Sequence, residues 1–594
     1  MDLSEDVMVD WIQENPTTVS EASGAGVKEW RFFLKPVKWQ RDLPGVESLG
    51  QSPGVRYRYV QPATSNSQYF SGFLDERAKR LTGIEGPSVD VVMSEFVPPS
   101  EEDLYAHVAG FGRTGPDGSQ ISTITYAGLL RELREVEDWD HQIADWLEPR
   151  HLPKITVPTR TSPGIRWKKL GYKTKKQALM PAVVEATRIL KGMLEGKGPY
   201  KVPPAGVAGR GKRVVTGTGR SGVKKEGRLI VMPDLVRHLL GTLAAGPYMS
   251  ELRKCRKEDG GVLLGMGPFS ESYQQVSEWA AGAREFLFLD FTGFDQSIPS
   301  PLLRAAMAHV QSRFIAGPGT DSYWKSEFEH LVNTEIAMPD GCVYKKKRGV
   351  ASGDPWTSLA DSYANWIALT HISHLLGLKV KVWTFGDDSI VAVYDGPAYG
   401  DLVGEFRTLA YDCFGMDVSS KKSYRSRVLV DIEDNPEPKQ SGSFLSLYFL
   451  QTPMGVRPTR PLQDLYEMFL VPEKNRGDLG WEIVRTSMAY MTFYYNETAR
   501  YVLEEYWDYL HERYKVPQLR GTADDLALLR EMDIPWSSFR WEWLNRLPRP
   551  GEVELMYKYG HVGFFQPAQW GVVYSKWDTD TLGNAVSLPL PPNG

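Results

Sequence analysis

An apolar run that stops on a carboxylate, and a tight turn that carries two more, constrain this chain most. Phe286-Leu287-Phe288-Leu289 ends at Asp290, the pattern of a buried strand delivering an acid at its end. Further on, Leu378, Val380 and Val382 alternate with lysines before Trp383, and Ile390-Val391-Ala392-Val393 resumes after Gly386-Asp387-Asp388. Strand, turn and strand make a hairpin, with Gly386 supplying permissive backbone. Between the two acidic points, Ser358 to Leu376 reads as helix. Thr357, Asp361 and Asn365 are four apart and fall along one face of it. These elements predict an α+β fold in which one end of a sheet gathers carboxylates.

At 594 residues the chain is long enough for several units, with a hydrophobic share of 42% that allows a sizeable core. The net charge of −5 argues against a uniformly basic coat but permits a local basic channel. Such a stretch exists: Lys154 to Arg228 holds nineteen Lys or Arg against Glu185, Glu195 and Glu226. It reads either as a solvated face or as a tunnel for phosphates. The three cysteines, Cys255, Cys342 and Cys413, have no metal-ligand spacing and suit a reducing compartment. No apolar run approaches the length of about 20 residues that a membrane helix needs, so no membrane segment is expected. The acidic start at Asp2, Glu5 and Asp6 is unlike a signal peptide. The first hundred or so residues, rich in Pro, Gly and Ser, read as an irregular layer wrapping other parts. Residues beyond Gly455 read as largely helical, and Pro567 to Gly594 as an extended tail.

Carboxylates at a strand end and at a neighbouring hairpin tip can converge on hard divalent cations, which take oxygen ligands. A lone Gly-Asp-Asp is a weak signal, because both residue types favour turns. The ordered set of strand end, Ser352-Gly353 loop, helix and acidic hairpin is far more specific.

Those residues carry a resemblance. Leu289-Asp290-Phe-Thr-Gly-Phe-Asp295-Gln296 resembles motif A of viral RNA-dependent RNA polymerases. Gly349-Val-Ala-Ser352-Gly353 through Thr357, Asp361 and Asn365 resembles motif B, and Phe385-Gly386-Asp387-Asp388-Ser389 resembles motif C. Gly415 to Lys422 looks like motif D, Ser441 to Phe449 like motif E, Gly227 to Asp234 like motif F, and Thr161-Ser162-Pro163-Gly164 like motif G. Gly455 to Pro461, with Val471-Pro472-Glu473, is similar to the segment after motif E in partitiviruses. The resemblance points to the partitivirus and picobirnavirus cluster of double-stranded RNA viruses.

The resemblance implies a right-hand architecture of fingers, palm and thumb around an encircled active site. Residues 1–110 would be an N-terminal layer bridging fingers and thumb, and 111–283 the fingers. The palm would comprise 284–300 and 346–454, divided by a fingers insertion at 301–345. The thumb would be 455–566, and 567–594 a C-terminal tail. Asp290 and Asp387, with Asp388 accessory, would ligate two Mg²⁺ ions, Mn²⁺ being able to substitute. Arg228 and Lys225 would clamp the triphosphate. Asp295, Thr357 and Asp361 would face the nucleotide sugar. Ser352 and Gly353 would form a loop that follows the template, and Thr161, Ser162, Pro163 and Gly164 would line its entrance. Lys422 would be the general acid, with Lys421 a competing candidate because spacing from Gly415 leaves the register open. The implied partners are RNA template and product, NTPs and a viral capsid protein, in the virion interior and host cytoplasm.

One residue departs from the pattern of positive-strand relatives, where position 361 is commonly Asn. Asp361 would bring a second carboxylate against Asp295, and like charges resist joint ionisation. Two rival readings are a reverse transcriptase, which typically carries a bulky residue where this chain has Asp295, and a non-catalytic RNA-binding derivative, which predicts loss of a metal carboxylate. Trp570, Tyr574 and Trp577 in the tail read as a strap packed on the thumb or as a stacking aid to unprimed initiation.

Overall fold

The acidic hairpin forms from Lys379–Phe385 and Asp388–Asp395, paired antiparallel with Phe385 opposite Asp388. Gly386 and Asp387 are therefore the two turn residues, and Gly386 has φ +60°, as such tight turns demand. The computed structural model describes residues 41–51, 56–59, 64–82, 94–158, 160–215, 227–432, 442–516 and 541–560. Lys225 and the tail from Pro567 lie outside them.

The hairpin is the centre of a five-stranded sheet. Its order is Tyr424–Ser426, Glu285–Phe288, Asp388–Asp395, Lys379–Phe385 and Gly261–Val262, antiparallel except for the last pairing. Both faces are covered, which explains runs more apolar than simple alternation requires. Leu287, Val382, Val391 and Val393 face a core shared with helices Ser300–Gln311, Thr357–Leu375 and Leu402–Phe414. Phe286, Phe288, Trp383, Ile390 and Ala392 face the opposite way, onto Tyr273, Phe444, Phe449 and Val456. Helix Thr357–Leu375 is buried at every position from Leu359 to Ser373, as a helix running through a core must be. It stops at Gly377, whose φ of +69° suits a residue just past a helix end.

A second sheet joins distant segments in the order Glu47–Gln51, Cys342–Lys345, Glu335–Ala337, Ala205–Arg210 and Arg228–Met232. It sets Arg228 on an edge strand. A separate aromatic core packs helix Gln68–Thr82 against Leu462–Leu470, Leu479–Phe493 and Glu497–Arg513, with the Phe70 ring 5.2 Å from Phe469 and 5.0 Å from Tyr506. Among the described residues no helix is long and apolar enough to cross a membrane.

The basic stretch is not uniformly solvated. Arg166 turns inward, with Nε 3.0 Å and Nη2 2.8 Å from the Asp234 carboxylate and Nη1 2.7 Å from Glu185. Asp234 also accepts from the Trp167 indole at 3.1 Å and caps helix Leu235–Lys254 through the Val236 amide at 3.0 Å. Removing one member of a buried ion pair strands the other. Asp234→Ala should therefore cost about 3–5 kcal/mol of stability, including the lost cap. Urea unfolding of the variant checks this, and a loss well under 1 kcal/mol would mean that Glu185 alone suffices for Arg166.

Candidate active site

Asp290 lies between two pairings made to one segment. Strand Glu285–Phe288 pairs with Tyr424–Ser426, and Phe291–Thr292 pairs with Asp417–Val418. Ser419 donates its amide to the Asp290 carbonyl at 2.7 Å, and the Asp290 amide donates to Ser423 Oγ at 3.0 Å. The carboxylate thus projects from backbone fixed on both sides.

The Gly386-Asp387 turn is clamped from the buried helix. Gly386 donates its amide to Ser362 Oγ at 2.8 Å, and Asn365 Nδ2 donates to the Gly386 carbonyl at 3.1 Å. Asn365 thus bonds the turn instead of joining a sugar-facing row. Thr357 likewise donates to the Ala351 carbonyl at 2.6 Å, so of that row only Asp361 reaches Asp295. Sequence reasoning missed Ser362, although a serine inside an apolar helix is itself a signal.

The acids crowd one another. Burial raises the Asp387 pKa, as do the charges of Asp295 and Asp290, while nearby Arg228 opposes them. Asp388 is pushed up to about 6 by burial, then by Asp387 and Asp290, against the Leu445 amide that donates to it. Leu445 and Ser446 hold φ of +55° and +62°, an unfavourable pair for residues with side chains. Asp361 is driven well above the carboxylate range by complete burial and then by the Asp295 charge. Burial also raises Asp295, while the hydrogen bond from Asp361 lowers it. Of the two, Asp361 is therefore the one pushed further towards holding a proton and donating to Asp295.

Asp290, Asp388 and Lys422 line one cavity with Tyr424, Gly442, Ser443 and Tyr448, and Lys421 is not among the residues around it. Ser352 Oγ donates to the Leu229 carbonyl at 2.9 Å, fastening the loop beside Arg228. Gly353 has φ +95°, and a Cβ there would lie 2.3 Å from the Val231 oxygen, so only glycine fits. Pro163 accepts from the Leu235 amide at 2.9 Å, and a Cβ on Gly164, φ +103°, would press within 3.0 Å of Asp234 Cα. Ser162 Oγ accepts from the Gly164 amide at 3.3 Å, and Thr161 Oγ1 donates to the Pro158 carbonyl at 3.1 Å. Thr161 to Gly164 is therefore braced against the start of helix Leu235–Lys254.

Among the described residues no three His, Cys, Asp or Glu side chains are already arranged as a cation cage. The donor chemistry nonetheless fits hard divalent cations. Asp290, Asp387 and Asp388 are all-oxygen ligands whose mutual repulsion a bound cation would offset.

Residues 221–504 match the family described as viral RNA-dependent RNA polymerase, a stretch that includes every residue of this site except Thr161 to Gly164. The match supports RNA-directed RNA polymerase activity. The chain is 26% identical over 190 residues to the genome polyprotein of Lettuce mosaic virus (strain E), covering 31% of this chain and 6% of the polyprotein. It is 29% identical over 136 residues to that of Pea seed-borne mosaic virus (strain DPD1), covering 20% and 4%. Against that of Soybean mosaic virus (strain G2) it is 28% identical over 145 residues, covering 22% and 4%. The chain thus spans a small fraction of the length of these relatives.

The crowding has a measurable sign. An acid whose pKa is higher folded than unfolded contributes stability below its unfolded pKa, and loses it as pH rises through the folded value. For Asp388 that window runs from the ordinary 3.8 to about 6. Without divalent cations, the urea midpoint should fall as pH is raised from 4.5 to 7, and Asp388→Asn should flatten the fall. One such group contributes a slope of at most about 1.4 kcal/mol per pH unit. An identical slope in wild type and variant would show that Asp388 titrates normally.

Proposed function

We propose that the protein is an RNA-dependent RNA polymerase that replicates and transcribes a viral RNA genome by nucleotidyl transfer from NTPs. The observation that carries this reading is the convergence of Asp290, Asp387 and Asp388, from a strand end and a clamped hairpin turn, with Lys422 on the shared cavity wall and Arg228 close by. Two divalent cations, Mg²⁺ or Mn²⁺, would be held by those carboxylates. Bound there, they supply acidification of a primer 3′-hydroxyl and neutralisation of triphosphate charge.

The chain's own residues divide the remaining work. Arg228, on the edge strand, clamps the triphosphate, a task suited to its planar fork of donors; Lys225 joins it. Asp295 accepts a hydrogen bond from the ribose 2′-hydroxyl, and protonated Asp361 orients it. Lys422 holds a proton at Nζ for the departing pyrophosphate. Ser352 and Gly353 carry the loop that follows the template, with Thr357 at its base, and Thr161 to Gly164 line the template entrance.

The right-hand division into fingers, palm and thumb belongs to the same reading, with the second sheet in the fingers, the central sheet in the palm and the aromatic helical core in the thumb. The finer placement beside the partitivirus and picobirnavirus cluster rests on the motif residues themselves, Gly455 to Pro461 and Val471 to Glu473 among them. A double-stranded genome, a capsid partner and action in the virion interior and host cytoplasm follow from that placement.

Two outcomes test the proposal. Asp290→Ala and Asp387→Ala should each lower primer extension by at least about a thousandfold, the scale of several kcal/mol of lost transition-state stabilisation, while RNA affinity is retained. Near-wild-type extension by either purified variant would end the metal assignment. In the second, Asp295→Ala should lower the ratio of catalytic efficiencies for an NTP and its dNTP, because a site built around the 2′-hydroxyl bond rejects the analogue lacking it. Asp361→Asn, which keeps a donor towards Asp295, should change that ratio far less. A ratio untouched in an active Asp295→Ala enzyme would place sugar selection elsewhere.

A further inference from the structure

Two cations lie just before the Ser352-Gly353 loop, and both are bonded by main-chain carbonyls. Lys346 is completely buried, and its Nζ donates to the carbonyls of Leu331 at 2.8 Å, Val332 at 2.9 Å and Gly349 at 2.7 Å. These carbonyls use all three N–H bonds of an ammonium, while burial lowers the Lys346 pKa to about 7. Arg348, also buried, donates from Nε to the Ser297 carbonyl at 2.8 Å and from Nη2 to the Phe414 carbonyl. Gly349, between them, donates its amide to the Ile298 carbonyl at 2.8 Å, and Val350 donates to the Asp295 carbonyl at 2.7 Å. The approach is close: a Cβ on Gly349 would sit 2.4 Å from the Asp295 oxygen.

We propose that Lys346 and Arg348 are positioning residues for sugar selection, a clasp that fixes the Asp295–Ile298 turn against the template-following loop. The inference rests on the reading of Asp295 as the ribose acceptor. Lys346 holds the carbonyl of the residue that bonds the far end of that turn, and Arg348 holds Ser297 within it. Asp361 then fixes the Asp295 side chain while Val350 fixes its backbone. A merely structural pillar could be apolar. A pillar of basic side chains bonded to carbonyls sets directions as well as spacing, because hydrogen bonds are directional and buried carbonyls are costly to leave unpaired.

The test uses the full chain carrying Lys346→Met, Arg348→Lys or, as an exposed control, Lys347→Met. Each is assayed on a primed RNA template with Mg²⁺ for catalytic efficiency with one NTP and its dNTP, alongside thermal melting. Lysine at 348 keeps the charge but cannot span Ser297 and Phe414 together. Both clasp variants should lower the NTP-to-dNTP ratio by about tenfold, the scale of one weakened hydrogen bond in the site, with the control unchanged. Folded clasp variants with the wild-type ratio overturn the inference, even if both efficiencies fall, since equal falls indicate a structural role alone. If Lys346→Met does not fold, the ratio of Arg348→Lys decides by the same criterion. A wild-type chain that extends with neither nucleotide overturns the polymerase reading and this inference with it, an outcome distinct from a selective wild type matched by its variants.

Discussion

Repulsion among carboxylates at one end of the central sheet is the constraint on which the rest of the site depends. Burial raises the proton affinity of Asp295, Asp361, Asp387 and Asp388, and neighbouring carboxylate charges raise it further at Asp361, Asp387 and Asp388. Left to itself, such a cluster would separate or take up protons. Bonds to backbone hold it as well. Ser362 and Asn365 grip the turn, Ser419 and Ser423 grip Asp290, and Leu445 presents an amide to Asp388. The left-handed backbone at Leu445 and Ser446, of order 1–2 kcal/mol per residue, is the conformation in which that amide is presented.

A second ring of buried charge holds the loops around this end. Arg237 pairs with Asp354 at 3.1 Å and with Glu327, which also accepts from the Tyr200 hydroxyl at 2.8 Å and the Trp356 indole at 2.9 Å. The loop carrying Ser352 is thereby tied to two helices before it enters Thr357–Leu375. Arg166 does the same for the loop of Thr161 to Gly164 through Asp234. In each case an arginine bridges two carboxylates from different segments, a geometry its rigid fork favours over the single point of a lysine. Buried pairs of this kind add little net stability compared with apolar packing, so their value here lies in fixing loop position.

The central features were legible because their causes are local. Alternation on both sides of Gly386 and the turn chemistry of Gly and Asp specify the hairpin, and an apolar run ending in an acid specifies the strand before Asp290. The row Thr357, Asp361 and Asn365 meets three different elements, the Ala351 carbonyl, Asp295 and the Gly386 carbonyl, which helical spacing alone could not foresee. Arg166 could not be separated from its basic surroundings, because only tertiary packing brings Asp234 and Glu185 to it. Spacing left Lys421 and Lys422 equivalent, whereas the cavity with Asp290 and Asp388 is lined by Lys422. Lys346 sits in a run of cations that composition alone assigns to solvent.

An asparagine at position 361 offers an N–H to its neighbour without changing charge; an aspartate does so only when protonated. Complete burial on helix Thr357–Leu375, beside the Asp295 charge, favours the protonated form of Asp361. The protonated acid is a donor of similar size and shape to an asparagine amide, and Asp295 then keeps a carboxylate able to accept a hydrogen bond. Aspartate here thus matches asparagine in hydrogen bonding though not in ionisable character. Its cost is that the donor persists only while that pocket remains dry, so sugar selection, if Asp295 performs it as proposed, would depend on the packing of a helix buried at every position between Leu359 and Ser373.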